Sequence, residues 1–463
     1  MRDREIGTLI RRADVGAFHP LQADWRSCLP WLVFASALFV TTGISAWTVG
    51  LSSGDRWGIS EARAESLGLD VTGIDAGLTG SLTYWLVWLV PFALTLGVGS
   101  ALLLSKRAAW GARSLSPAVR RGAARTFGVA SCLFMAAWAW AAYRYGLLSG
   151  DGLSSIVESW SGDLQGHYAA RINSFQSVDF LTQCIVYQGL PALWIYGLLA
   201  CVHPSDRASS RMGAMALCIV MTALYAALVL AAHQKALLAN LTLLGCFGCV
   251  AKFGPRSLGW IVVLLLAIAL IVHVVMSSMI PGWTIIGTVD HITGRTGDAY
   301  PFAVLHGQHQ VADGRGVPYW TVGVPVSGVE IYMNRVVGDV MFPGVEAFVA
   351  LAAPSWAFAS DGFVGWSIAV ALLLAVLSVC GQLWRWRMPW EDREVLGVEG
   401  MFVAYYLTQV PFVGLVWWSY SFLMPLAVVL LVRQLATLAG VFATATPHRG
   451  SPFGKGAARR ALP

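Results

Sequence analysis

Charged residues are scarce in this chain, and their scarcity excludes most classes of soluble protein. Asp, Glu, Lys and Arg make up 12% of the 463 residues, about half of the share in an ordinary soluble domain. Hydrophobic residues make up 57%, and the mean hydropathy is +0.64. A protein of this composition would expose too much apolar surface to be soluble in water, so the sequence predicts an integral membrane protein.

Patterns of metal or redox chemistry are also missing. The eight cysteines lie in or just before apolar stretches and are interpreted as small hydrophobic residues. Cys246 and Cys249 form a C-x-x-C pair without a nearby His or acidic ligand, so packing is favoured over metal or redox work. No disulfide framework, metal or cofactor is predicted.

Apolar stretches separated by polar segments organise the chain. Backbone groups in lipid must be hydrogen-bonded within their own segment, so each stretch is predicted to be a helix. The resulting fold is an all-α polytopic integral membrane protein with about ten transmembrane helices and a large outer loop containing short helices. The predicted spans are 30–51, 83–104, 127–148, 180–202, 212–232, 236–251, 258–280, 363–384, 401–415 and 418–441.

These spans divide the chain into five regions. They are a cytoplasmic N-terminal segment 1–29, transmembrane helices 1 to 7 in 30–280, a large extracytoplasmic loop 281–362, transmembrane helices 8 to 10 in 363–441, and a basic cytoplasmic tail 442–463. The first segment is too polar and too long for a cleavable signal peptide, so the first span is expected to be an uncleaved anchor. Short helices are expected near 327–337 and 343–359, and Asp361 is expected to cap the eighth span.

The distribution of Lys and Arg predicts the orientation. Twenty-three of the 31 basic residues fall on the side that holds both termini, and basic loops stay in the cytoplasm. Both termini are therefore predicted to be cytoplasmic. The net charge of +6 is explained by this topology and by phospholipid headgroups, so no nucleic acid partner is predicted.

Features of ion-coupled transporters are weak in the sequence. No internal repeat is found, which argues against the inverted halves of secondary transporters. Ionisable side chains are scarce inside the predicted spans. His273 is almost the only candidate for an ion relay, and a packing role explains it more simply.

The predicted outer segments collect the residues suited to chemistry on sugars and phosphates. Aromatic faces bind sugar rings, and a guanidinium pairs with phosphate oxygens at two points. Four pieces of the chain, HYAARINSF, HQKALLANLTLL, IYMNRVVGDVMFPG and ASDGFVGWSIAVALLLAVL, resemble the Wzy-type polysaccharide polymerases. Members of that family have about ten or more spans, a large outer loop in the C-terminal half, and arginines in their outer loops.

The resemblance implies a reaction and roles for individual residues. A glycan would pass from undecaprenyl pyrophosphate to a hydroxyl of an incoming lipid-linked repeat unit, at the outer face of a bacterial cytoplasmic membrane. The implied partners are this lipid-linked oligosaccharide, membrane lipids and a chain-length regulator. The implied catalytic residues are Arg171, Arg335, Asp163 and His306, and the implied substrate-binding residues are Arg144, Tyr168, Lys235, Arg315 and Tyr332.

Simpler readings of these residues stay open. Arg171 and Arg335 also fit arginines at helix ends whose charge reaches the interface, Lys235 fits a turn between spans, and Asp163 fits a solvated loop carboxylate. His306 begins HGQH, which lacks the Glu of an H-E-x-x-H zinc site.

Three other functional classes also stay open. An O-antigen-ligase-like transferase would use the same donor with another acceptor. A GT-C transferase would use a polyprenyl-phosphate sugar, but the first outer segment lacks the adjacent acidic pair expected there. A lipid or solute transporter is the non-enzymatic alternative.

Overall fold

A computed structural model describes the helical part of the chain, and every regular element in the described residues is a helix. The described residues are 25–44, 46, 81–105, 117–149, 178–202, 208–232, 235–279, 285, 300, 303–304, 307–308, 351–386, 388–410, 412 and 423–445. The helices are α1 Leu29–Leu38, α2 Leu82–Ser105, α3 Pro117–Arg144, α4 Phe180–Cys184 continued through Leu190–Val202, α5 Ala208–Ala231, α6 Lys235–Phe253, α7 Leu258–Met279, α8 Ala353–Leu383, α9 Trp390–Tyr406 and α10 Leu423–Ala445.

The helices carry the apolar surface that a lipid-embedded protein needs. Six of the described helices are long and apolar enough to cross a membrane. Large apolar side chains such as Leu96 on α2, Ile219 on α5 and Leu266 on α7 are exposed on the outside of the structure. Exposed apolar side chains in this number are consistent with an all-α protein embedded in a membrane.

Three helices begin earlier than the hydropathy pattern predicts. Helix α3 begins at Pro117, ten residues before the predicted span, and α8 begins at Ala353 inside the predicted outer loop. Helix α9 begins at Trp390, eleven residues before the predicted start at 401. Hydropathy underestimated the length of these helices. The first turns of α3 and α9 carry charged residues, and the first turns of α8 precede a kink.

One end of the helix bundle is defined here as the Arg26 end. Arg26, just before α1, forms an ion pair with Glu394 near the start of α9 and lies 4.8 Å from the centroid of the Trp384 ring at the end of α8. Lys252 at the end of α6 lies 5.8 Å from the ring centroid of Trp390, the first residue of α9. Starts and ends of helices therefore alternate at this end.

The opposite end is defined here as the Arg144 end. Asn240 near the start of α6 donates to the hydroxyl of Tyr406 at the end of α9. The N–H of Ala353 at the start of α8 donates to the carbonyl of Leu407 over 2.9 Å. Helix α9 therefore runs from one end of the bundle to the other, and its 17 residues cover about 25 Å.

Helix α9 is the buried centre of this arrangement. All but three of its 17 residues are buried, and it packs against α1, α4, α6, α8 and α10. Gly397 permits a close contact between α9 and the end of α8, because a Cβ there would lie 2.4 Å from Cε2 of the Trp384 indole. A side chain at this position would push α8 and α9 apart.

A kink divides α8. Gly362 has φ 60° and ψ −147° inside the helix, a conformation that only glycine adopts readily. The residues after this kink match the start of the predicted eighth span. Asp361 lies at the kink, with its Oδ2 3.2 Å from the place of a Cβ on Gly365. The residue that caps the whole helix at its start is Ala352, whose side chain makes no capping bond.

Short described pieces of the long segment between α7 and α8 lie at the Arg144 end. The Tyr300 hydroxyl donates to the carbonyl of Tyr84 near the start of α2, and the two rings meet edge to face. The Gln308 amide donates to the Ser81 hydroxyl over 3.2 Å. The expected short helix at 327–337 lies outside the described residues, and so do residues 343–350 of the helix expected near 343–359. The described remainder of that second segment forms the beginning of α8 from Ala353 onwards.

Candidate functional site

Four acidic residues of α9 form the densest polar feature of the described bundle. Glu391, Asp392, Glu394 and Glu399 are all buried. Pro389 occupies the N-cap position, and the first turn contains Glu391 and Asp392. Negative side chains there are stabilised by the unbonded N–H groups and the dipole of the helix start.

Partners from other helices hold the first three acids at the Arg26 end. Glu394 is paired with Arg26, whose side chain is 15% exposed while that of Glu394 is 8% exposed. Thr126 of α3 donates to Glu391 over 3.3 Å, and the Tyr196 hydroxyl of α4 donates to Asp392 over 2.7 Å. Three helices are thereby tied to the start of α9.

A polar stripe runs along α9 beyond this cluster. Asp392, Glu399 and Tyr406 are spaced seven residues apart, which places them on one face of the helix. Asp392 is bonded to Tyr196 at one end of the stripe, and Tyr406 is bonded to Asn240 at the other. The polar stripe therefore connects the Arg26 end to the Arg144 end through the protein interior.

Glu399 is the exceptional member of the polar stripe. Its side chain is 1% exposed, and among the described residues its Oε1 has no hydrogen-bond partner. Tyr225 of α5 interacts with it electrostatically. The Tyr225 hydroxyl donates to the carbonyl of Val186 over 3.0 Å, inside the π-helical turn Ile185–Gly189 of α4. Turns of this kind occur often at functional sites.

A second polar group lies at the Arg144 end. Arg144 at the end of α3 forms a 2.9 Å ion pair with Asp179, just before α4. Its guanidinium carbon also lies 5.8 Å from the ring centroid of Trp140, whose indole N–H donates to the Thr182 hydroxyl. The side chains of Arg144 and Asp179 are 36% and 42% exposed, so this pair lies open at the surface of the structure.

Asp179 is also the N-cap of α4. Its Oδ1 accepts from the N–H of Thr182 and its Oδ2 from the Thr182 hydroxyl, each over 2.9 Å. These bonds lower the pKa of Asp179 below its usual value, and the positive charge of Arg144 adds a smaller effect in the same direction. The pKa of nearby Tyr145 is raised to about 12, mainly by burial and to a smaller extent by the negative charge of Asp179.

The structure describes only a small part of the predicted sugar and pyrophosphate site. Arg144 is the one predicted site residue whose side chain is described, and its ion pair with Asp179 gives a reason for a cation on the predicted outer side. Lys235 is the first residue of α6. The remaining predicted residues lie outside the described part of the chain: Asp163, Tyr168, Arg171, His306, Arg315, Tyr332 and Arg335.

The sequence interpretation missed the acids of α9. It treated the segment before 401 as a cytoplasmic loop and found ionisable groups scarce within the spans. That prediction did not cover Glu399, which precedes the span predicted at 401–415 and yet is buried in the bundle. The seven-residue spacing of Asp392, Glu399 and Tyr406 was the available signal.

Neither a metal-binding group nor a similar protein helps to assign a function to this site. In the described ranges no group of three or more His, Cys, Asp or Glu side chains is placed to hold a metal. The chain matches no protein-family model, no curated protein and no solved structure.

Proposed function

We propose that this chain polymerises lipid-linked oligosaccharide repeat units on the outer face of a bacterial cytoplasmic membrane. The growing glycan leaves undecaprenyl pyrophosphate and joins a hydroxyl of an incoming lipid-linked unit. The glycosyl bond to pyrophosphate breaks, a new glycosidic bond forms, and the hydroxyl proton passes to a carboxylate or imidazole. Asp163 and His306 are the proposed acceptors of that proton.

The observation that carries the proposal is the arrangement around Arg144. Its guanidinium is fixed by Asp179 and lies beside the Trp140 ring, yet it is 36% exposed. A cation with one anionic partner and open access can also bind a phosphate oxygen, and an adjacent aromatic face suits a sugar ring. In the proposed orientation this end of the bundle faces outwards.

Further support comes from the long segment between α7 and α8. Its described pieces contact the starts of α2 and α8 at the Arg144 end, through Tyr300 and Gln308 for α2 and through Gly307 for α8. In the proposal, Arg171 and Arg335 compensate the charge of the departing pyrophosphate. Tyr168, Lys235, Arg315 and Tyr332 bind the sugars and the carrier.

The test uses purified protein in liposomes with lipid-linked oligosaccharide as sole substrate. Chain growth is measured by gel separation of the glycan products. Arg144→Ala should reduce growth strongly, and Arg144→Lys should restore it only in part, because lysine keeps the charge without the two-point fork. Arg385→Ala is the matched control, an arginine at the Arg26 end, and should retain growth. Normal polymer from Arg144→Ala and Arg335→Ala would disprove the pyrophosphate role.

A lipid or solute transporter is the second candidate. The observation that favours it is the buried carboxyl of Glu399, because ionisable groups inside a membrane bundle are characteristic of ion and substrate pathways. The same liposomes separate the two functions. A transporter would move labelled lipid-linked oligosaccharide between leaflets without changing the length of the glycan.

A further inference from the structure

The proposed transfer chemistry gives no role to Glu399. It lies near the middle of α9, seven residues from Asp392 at one end and seven from Tyr406 at the other. Both of those neighbours have side-chain partners on other helices, Tyr196 and Asn240. Glu399 alone in the polar stripe is left with an oxygen that has no bonding partner in the described part of the chain.

The surroundings of Glu399 contain no compensating charge. Tyr225 of α5 is the titratable side chain that interacts with it, and no cation does so among the described residues. On α9 itself the cation nearest in sequence is Arg393, six residues before Glu399, and Arg26 at the same end of the bundle is already paired with Glu394. Lys252 of α6 lies at that end as well, over Trp390.

An ionised carboxylate in such a place is strongly disfavoured. Burying a charge without a counter-ion or hydrogen bonds costs far more than burying a neutral carboxylic acid. A carboxylic acid held only for packing would gain from a partner for each of its oxygens. The unbonded Oε1 therefore fits a group that gains and loses a proton more closely than a fixed structural acid.

The Tyr225 hydroxyl does not supply the missing bond to Glu399. It donates instead to the Val186 carbonyl in the π-helical turn of α4, over 3.0 Å.

We propose that Glu399 is a proton-binding site inside the bundle. On release, the O–H bond of the Glu399 carboxylic acid breaks and its electron pair stays on the carboxylate. The released proton passes to solvent, so no oxidant or reductant is involved. The proposal goes beyond glycan transfer and does not depend on it.

Infrared difference spectroscopy of the protein in lipid nanodiscs tests the binding site. Glu399 should give a carbonyl band of a protonated carboxyl that disappears as pH is raised. Glu399→Gln should lose this band, and Glu399→Asp should shift it. Glu391→Gln is the matched control, because it removes another buried carboxyl of α9 and should leave the band in place. A spectrum in which Glu399→Gln removes no titrating band would overturn the proposal. Failure of glycan growth would leave this measurement unaffected.

Discussion

Each end of the bundle has an ion pair between an arginine and a carboxylate, and the two pairs differ in how far they are buried. At the Arg26 end the pair of Arg26 and Glu394 is 15% and 8% exposed, and the Trp384 ring covers the guanidinium. At the Arg144 end the pair of Arg144 and Asp179 is 36% and 42% exposed. The same chemical pair is thus enclosed by helices at one end and open at the surface of the structure at the other.

This difference separates structural charge from available charge. A buried pair has lost its water, so removal of either partner leaves an uncompensated charge that the protein cannot solvate. An exposed pair loses little when it opens, because water and salt replace the lost partner. We infer that Arg26 fixes helices, whereas Arg144 is free to exchange Asp179 for an anionic ligand.

The largest effect is expected when the enclosed pair is broken. Arg26→Ala leaves the Glu394 carboxylate buried, which should cost about 3–5 kcal/mol of stability. Thermal unfolding in detergent, followed by circular dichroism, measures the loss. Arg144→Ala provides the comparison at the exposed end and should change the midpoint very little.

A double variant sharpens this prediction. Arg26→Ala combined with Glu394→Ala removes both charges and should be more stable than Arg26→Ala alone, because no unpaired charge remains. Equal loss from Arg26→Ala and Arg144→Ala would show that burial does not distinguish the two ends.

Most of the helices could be predicted from hydropathy alone. The predicted span 258–280 matches α7, Leu258–Met279, and 83–104 matches α2, Leu82–Ser105, within one residue at each end. This works because a segment in lipid must satisfy its own backbone and expose apolar side chains. Both conditions depend only on the residues of the segment itself, so they can be recognised in the local sequence. The number of spans and the orientation stay predictions.

The start of α9 could not be predicted in this way. Its four acids lower the local hydropathy, and the groups that stabilise them are distant in sequence: Arg26 lies 368 residues from Glu394 and Thr126 lies 265 residues from Glu391. Only tertiary structure brings such partners together. Arg144 was named through the resemblance, as an arginine next to a predicted outer segment. The local signal for Glu399 was its seven-residue spacing from Asp392 and Tyr406, and that spacing does not show that the carboxyl is buried.

The second prediction concerns the bond between Tyr196 and Asp392. Tyr196→Phe removes a hydroxyl that donates to a carboxylate over 2.7 Å and leaves that carboxylate buried. The expected loss is about 1.5–3 kcal/mol, the range for hydrogen bonds to charged groups. Tyr84→Phe removes a neutral bond to the Ala46 carbonyl and should cost about 1 kcal/mol. Unfolding in denaturant compares them, and a smaller loss from Tyr196→Phe would contradict an ionised, structural Asp392.

The smallest effect is expected at the exposed end, and it should depend on pH. The N–H and hydroxyl of Thr182 lower the pKa of Asp179 in the folded state. A carboxyl with a depressed folded pKa adds stability that is fully present above its unfolded pKa, about 3.9, and is lost as pH falls through the folded pKa. Asp179→Asn should therefore lower the unfolding midpoint slightly at neutral pH. The two midpoints should converge only in strongly acidic solution. A midpoint difference that already vanishes between neutral pH and about pH 5 would mean that the Asp179 carboxylate does not act as the cap of α4.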